Sequence, residues 1–198
     1  MKTLIDFIPN LITLARFFLA VSFVSQLRSL LTSSDFNRFI IPTLLLFIAI
    51  CMTDFFDGRI ARKFNAVSTF GAVMDVTADL FYIISSYIVL NKYSVIPVWF
   101  TALTITKFVE FTVTSQIMKN KRPIKSTFVF DYSGRVSAFL FYIIPCFACI
   151  IWGYNHVYSS LVIDILLFLA TFITLISSAI RCSNCFRLLK NTGVLIKS

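Results

Sequence analysis

The residues in this sequence best suited to chemistry are four aspartates. Asp54, Asp57, Asp75 and Asp79 are four of the nine acidic residues, and all stand in the stretch Thr53 to Leu80, TDFFDGRIARKFNAVSTFGAVMDVTADL. Asp54 and Asp57 are three positions apart and Asp75 and Asp79 four, so on helices each pair shares one face. Carboxylates brought to one depth repel unless a cation neutralises them, and an all-oxygen donor set suits Mg²⁺, Mn²⁺ or Ca²⁺ rather than zinc. A divalent metal is therefore the expected partner. Gly58, beside Asp57, and Gly71, one turn before Asp75, leave room for a helix or a ligand to come close. Arg62 and Lys63 stand at the mouth, where a phosphate could be held. A plainer alternative pairs the acids with Arg59, Arg62 and Lys63 as interfacial salt bridges. It explains the charges, but not the register of four acids and two glycines across two helices.

The elements that must position these residues follow from composition. The chain has 198 residues; 58% are hydrophobic and 14% charged, with a mean hydropathy of +0.87, against about 45–50% and about 25% in soluble domains. This points to an all-α integral membrane protein and excludes soluble enzymes and disordered modules. The 23 Phe fall in long apolar runs that suit lipid-facing helices better than the alternating pattern of a membrane barrel. Six spans are expected, at roughly 11–31, 38–57, 69–90, 94–118, 134–154 and 158–180, in a single membrane domain covering 1–198. Pro9 and Asn10 are expected to break the start, leaving Met1 to Ile8 as a short interfacial segment. If the second helix ends near Lys63 and the third begins at Thr69, with Ser68 as N-cap, the two form an antiparallel hairpin. Asp57 and Asp75 then lie about 9 Å deep, and Asp54 and Asp79 about 14–15 Å. An aspartate at mid-membrane costs roughly 2.5–3.5 kcal/mol on insertion scales, so four together imply a function.

Net charge is +9, but in a membrane protein basic residues report topology first. Thirteen Lys and Arg fall on the N-terminal side of a six-span arrangement, against Arg28, Arg38 and Lys92 on the other. Both termini are thus expected in the cytoplasm, with no nucleic-acid partner. Asp6 and Arg16 interrupt what would be the core of a signal peptide, so the N-terminus is expected to be retained. Cys146, Cys149, Cys182 and Cys185 form two C-x-x-C pairs, which could in principle bind zinc. Their different depths favour ordinary packing of small side chains instead.

The motif Asp54-x-x-Asp57-Gly58-x-x-Ala61-Arg62, eight further residues, and Gly71-x-x-x-Asp75-x-x-x-Asp79 resembles the full signature of the CDP-alcohol phosphotransferases. Pro9 to Arg16, P-N-L-I-T-L-A-R, resembles the opening of the bacterial phosphatidyltransferases of that family. The resemblance implies transfer of a phosphatidyl group from CDP-diacylglycerol to an alcohol with release of CMP, by a six-span homodimer among membrane lipids. It implies that Asp54, Asp57, Asp75 and Asp79 hold Mg²⁺ or Mn²⁺ and that Asp79 also serves as general base. By the same resemblance Asp54, Gly58, Ala61, Arg62 and Gly71 line the cytidine diphosphate site. With His156 as the single histidine, on the far side, a Ser-His triad is untenable.

Acceptor choice rests on fewer residues. Many phosphatidylglycerophosphate synthases of the family read D-P-x-x-D-K, where this chain has Val76 and Leu80. Serine-transferring members often carry Ser-Phe-Gly after the last aspartate, where Phe81 to Ser85 reads FYIIS. Ile96-Pro97-Val98-Trp99, followed eight residues later by Lys107, and Gly134-Arg135 both resemble the glycerophosphate branch. Lys107, Arg122 and Arg135 are therefore expected at the acceptor, with glycerol-3-phosphate as the leading substrate and inositol phosphate, serine or another alcohol as alternatives. For Lys107 an ion pair with Glu110, three residues on, is an equal reading. Arg122 and Arg135 also fit a basic rim on anionic headgroups. Asn10, Thr13 and Arg16 share a helix face, for packing and interface anchoring, with Arg16 at a depth from which it could snorkel, or equally for the donor. A divalent-cation transporter would also need an intramembrane acidic cluster, but not the glycines and Arg62 in register with it.

Overall fold

Inside a bilayer every backbone N–H and C=O must find its partner within the chain, and the long apolar runs satisfy this as helices. The structure, a computed structural model, describes the backbone of residues 2–33, 35–63, 69–121, 132–154 and 156–195. It describes the side chains of 11–33, 35–56, 59, 70–119, 134–153 and 159–190. Among the described residues six α-helices form: α1 (Lys2–Thr32), α2 (Phe36–Lys63), α3 (Thr69–Lys92), α4 (Val98–Lys121), α5 (Tyr132–Tyr154) and α6 (His156–Leu195). Five of them are long and apolar enough to cross a membrane, and the chain is an integral membrane protein. The exception is α4, whose apolar content is diluted by Lys107, Glu110 and a run of Thr and Ser.

The helix limits at Lys63 and Thr69 are those expected, and α5 gives way to α6 at the expected break after Gly153. Three limits differ. The Pro9–Asn10 break does not occur, since α1 is continuous from Lys2. α4 begins at Val98, after Pro97, rather than at Ser94. α6 continues past the end of the apolar run to Leu195, through Asn191 and Gly193.

The turn before α4 has a specific cause. Ser94 adopts a left-handed conformation with φ 56°. Its N–H bonds to Asn91 O at 3.0 Å and that of Val95 to Leu90 O at 2.9 Å, the paired closure of a Schellman cap. Leu90 and Val95 are both buried, which completes the apolar contact of that motif.

Side-chain packing departs from a simple hairpin. Among the described residues α1 packs broadly against both α2 and α3, which meet each other far less; α6 packs against α5 and α4. The inward stripe of α1 runs Thr13, Arg16, Ala20, Phe23, Leu27 and Leu30, all buried, at alternating spacings of three and four. That of α6 continues the same rhythm through Ile163, Leu167, Ala170, Thr174, Ser177 and Arg181. Large apolar residues such as Leu45 and Ile48 on α2 and Phe168 and Phe172 on α6 are exposed, as lipid contact requires. Pro145, inside α5, cannot donate to the carbonyl of Phe141. The Tyr87 hydroxyl of α3 does so instead, at 3.0 Å.

Candidate active site

The acidic cluster forms around a cation that the chain itself supplies. Asp54 on α2 and Asp75 and Asp79 on α3 bring carboxylate oxygens within 4.8 Å of one another. Arg16 of α1 reaches all three through one nitrogen, Nη1, at 3.2 Å from Asp54, 2.6 Å from Asp75 and 3.1 Å from Asp79. Its side chain is 0% exposed, whereas the three carboxylates keep 47%, 40% and 30% of theirs. The guanidinium thus closes the cluster from the protein side and leaves the acids open on the other. One positive charge offsets one of three negative charges, so the described part of the cluster keeps a net negative charge and a set of carboxylate oxygens that could hold a metal ion.

The acids form part of the wall of a cavity of about 600 Å³, within the range of small-molecule sites. Asp54, Asp75 and Asp79 line it from α2 and α3, Lys107 from α4, Gly134 and Tyr142 from α5, and Arg181 from α6. Lys107 Nζ donates to Ser178 Oγ at 2.9 Å and lies 3.3 Å from Glu110 Oε2. Ser178 in turn donates to Glu110 Oε2 at 2.6 Å. Lys107 is thus paired with Glu110, as one reading expects, and it also lines the same cavity as the acids. Arg181, 1% exposed, donates from Nε to Thr114 Oγ1 at 2.5 Å and from Nη2 to Ser115 Oγ at 2.7 Å. It also lies 4.6 Å over the ring of Phe111. These contacts with α4 hold the guanidinium at the cavity.

The sequence reading and the geometry diverge in several places. Arg181 is not expected at the cavity, counting only as a cytoplasmic charge, whereas Arg16, read equally as packing and interface anchoring or as part of the donor site, lies at the acids. Their signal was nevertheless present, since each continues the three-and-four stripe of small and apolar residues on its helix. Arg135 is exposed, while Gly134 and Ser137 line the cavity beside it. Gly71 is half-buried on α3. Asp57, Gly58, Ala61, Arg62 and Lys63 belong to the backbone of α2, with side chains outside the described residues, and Arg122 and Ser68 lie outside them altogether. Arg59, proposed as a salt-bridge partner, lies 4.9 Å over the ring of Phe55. All five cysteines are free thiols, with Cys146, Cys149 and Cys185 buried and Cys182 exposed.

Comparison with known proteins points the same way as the motif. A family model described as CDP-alcohol phosphatidyltransferase matches residues 6–180. A CDP-diacylglycerol--glycerol-3-phosphate 3-phosphatidyltransferase of Bacillus subtilis is 34% identical over 117 residues, which cover 54% of this chain and 58% of that one. A protein of the same name from Rickettsia bellii is 33% identical over 138 residues, 67% of this chain and 72% of that one. A cardiolipin synthase (CMP-forming) of Streptomyces coelicolor is 32% identical over 56 residues, 28% of this chain and 26% of that one.

Proposed function

Because the chain belongs to the CDP-alcohol phosphatidyltransferase family, we propose that it transfers the phosphatidyl group of CDP-diacylglycerol to glycerol-3-phosphate, forming phosphatidylglycerophosphate and CMP. The observation that carries this reading is the cavity that joins three gathered carboxylates to Lys107 and Arg181. Such a cavity offers a cation site for a pyrophosphate and two fixed positive charges for the phosphate of the acceptor. Asp54, Asp57, Asp75 and Asp79 would hold Mg²⁺ or Mn²⁺, which when bound would neutralise charge on the pyrophosphate and on the leaving CMP. Arg16 keeps three of these carboxylates together. Gly58, Ala61, Arg62 and Gly71 border the cytidine diphosphate.

Asp79 takes the proton of the acceptor hydroxyl as its oxygen bonds to the phosphatidyl phosphorus and the bond from that phosphorus to CMP breaks. It is the least exposed of the three described acids, which favours a protected proton transfer. Lys107, held by Glu110 and Ser178, and Arg181, held by α4, orient the acceptor phosphate, with Arg122 and Arg135 contributing charge at the rim. Two fixed cations favour a phosphorylated acceptor over serine or inositol.

The same proposal has six crossings, with α4 as the sixth, its polar side turned into the bundle. It has both termini and the cavity at the cytoplasmic face of the membrane, and a single domain that works as a homodimer. The test is CMP release by purified protein supplied with CDP-diacylglycerol, Mn²⁺ or Mg²⁺, and glycerol-3-phosphate, inositol phosphate, serine or inositol in separate reactions. Cation-dependent release with glycerol-3-phosphate is expected. Release with another acceptor would reassign the branch, and cation uptake into vesicles without any CMP release would replace the reaction with transport.

A further inference from the structure

One polar group in the cavity wall has no role in the account above. Tyr142, on α5, lines the cavity together with Asp54 and Asp79. Its hydroxyl oxygen is buried and has no hydrogen-bond partner among the described residues. The ring is held in place: its centroid lies 4.9 Å from that of Tyr82 and 6.3 Å from that of Phe47. A buried hydroxyl left without a partner costs about 1–3 kcal/mol, so proteins rarely keep one without a use. A phenol is a proton donor at neutral pH, and a fixed donor beside a cavity that collects anions is suited to an oxygen on which charge develops.

We propose that the Tyr142 hydroxyl is a further substrate-touching group, donating a hydrogen bond to a non-bridging oxygen of the phosphate that is transferred. This rests on the phosphatidyl-transfer reading. The hydroxyl completes its hydrogen bonding only with substrate in place, so stability and turnover oppose each other at this position. The neighbouring Tyr82 serves as an internal comparison. Its hydroxyl is likewise buried and unpartnered among the described residues, but Tyr82 does not line the cavity.

The experiment compares wild type, Tyr142→Phe and Tyr82→Phe, each purified in detergent, by melting temperature without substrate and by CMP release with CDP-diacylglycerol, Mn²⁺ and glycerol-3-phosphate. Tyr142→Phe is expected to melt at or above the wild-type temperature while kcat falls at least about tenfold, as for loss of one donor to a developing charge. KM for glycerol-3-phosphate should stay within about twofold. Tyr82→Phe should also melt at or above wild type, with kcat unchanged. Turnover of Tyr142→Phe within twofold of wild type would overturn the inference. So would a lower melting temperature in step with the lost activity, or an equal loss in Tyr82→Phe, since either marks the hydroxyl as packing. A wild type that releases no CMP with any acceptor would remove the parent reading and this inference together. An active wild type with an equally active Tyr142→Phe would remove only the inference.

Discussion

At Arg16 one buried side chain holds three partly exposed carboxylates. Removing it leaves like charges facing one another, but with solvent contact. The loss should therefore fall short of the ~3–5 kcal/mol of breaking a fully buried pair. Arg16→Gln is expected to lower the melting temperature by several degrees without divalent cation, with the gap narrowing in saturating Mn²⁺, because the ion takes over the neutralisation. A thermal melt with and without Mn²⁺ checks this, and a gap indifferent to the ion would separate Arg16 from the cation site. Asp57→Asn removes a proposed ligand charge while keeping the size of the side chain. It should abolish CMP release while leaving the melting temperature within about 2 °C of wild type, a ΔΔG below about 1 kcal/mol. Near-normal activity would refute the proposed four-acid metal set.

Within an element, α5 carries a proline that its neighbour answers. Pro145 leaves the Phe141 carbonyl without its intrahelical donor, and Tyr87 supplies one across the α3–α5 contact. Tyr87→Phe should cost about 1–3 kcal/mol, the cost of a buried acceptor left unsatisfied. Pro145→Ala restores the helical donor, so the same Tyr87→Phe change should cost much less in that background. Melts of the four variants measure the difference, and equal costs in both backgrounds would remove the link between proline and tyrosine. The hydroxyls of Thr43, Thr104 and Thr174 are engaged differently, each donating to the carbonyl four residues earlier. Such hydroxyls are satisfied within their own helix and are poor candidates for the site.

Across the whole molecule, the end of the bundle away from the acids is closed by a contact between the start of α2 and the end of α5. A Cβ placed on Gly153 would meet the ring of Phe36 at 1.7 Å, so the ring occupies the space that the glycine leaves. Gly153→Ala should displace the ring and destabilise by about 1–3 kcal/mol, as overpacking does. In Phe36→Ala the same substitution should be nearly neutral, giving a coupling of at least about 1 kcal/mol in a double-mutant cycle. Additive effects would mean that the two helix ends do not rest on each other.

Spacing and hydropathy already carried the membrane class, the helix limits at Lys63 and Thr69 and the grouping of Asp54, Asp75 and Asp79, because a helix repeats every 3.6 residues and a bilayer rejects charge without a use. Those rules act along one chain segment at a time. They show that Arg16, Thr13 and Ala20 share a face, and that Arg181 continues the stripe of Ala170, Thr174 and Ser177. They do not show which other helix closes on that face. The arrival of α1 against both α2 and α3 puts a guanidinium among the acids, and the packing of α6 on α4 sets Arg181 and Lys107 into one cavity. Which helices meet depends on the fit of many side chains at once, a sum over the whole bundle that no local periodicity contains.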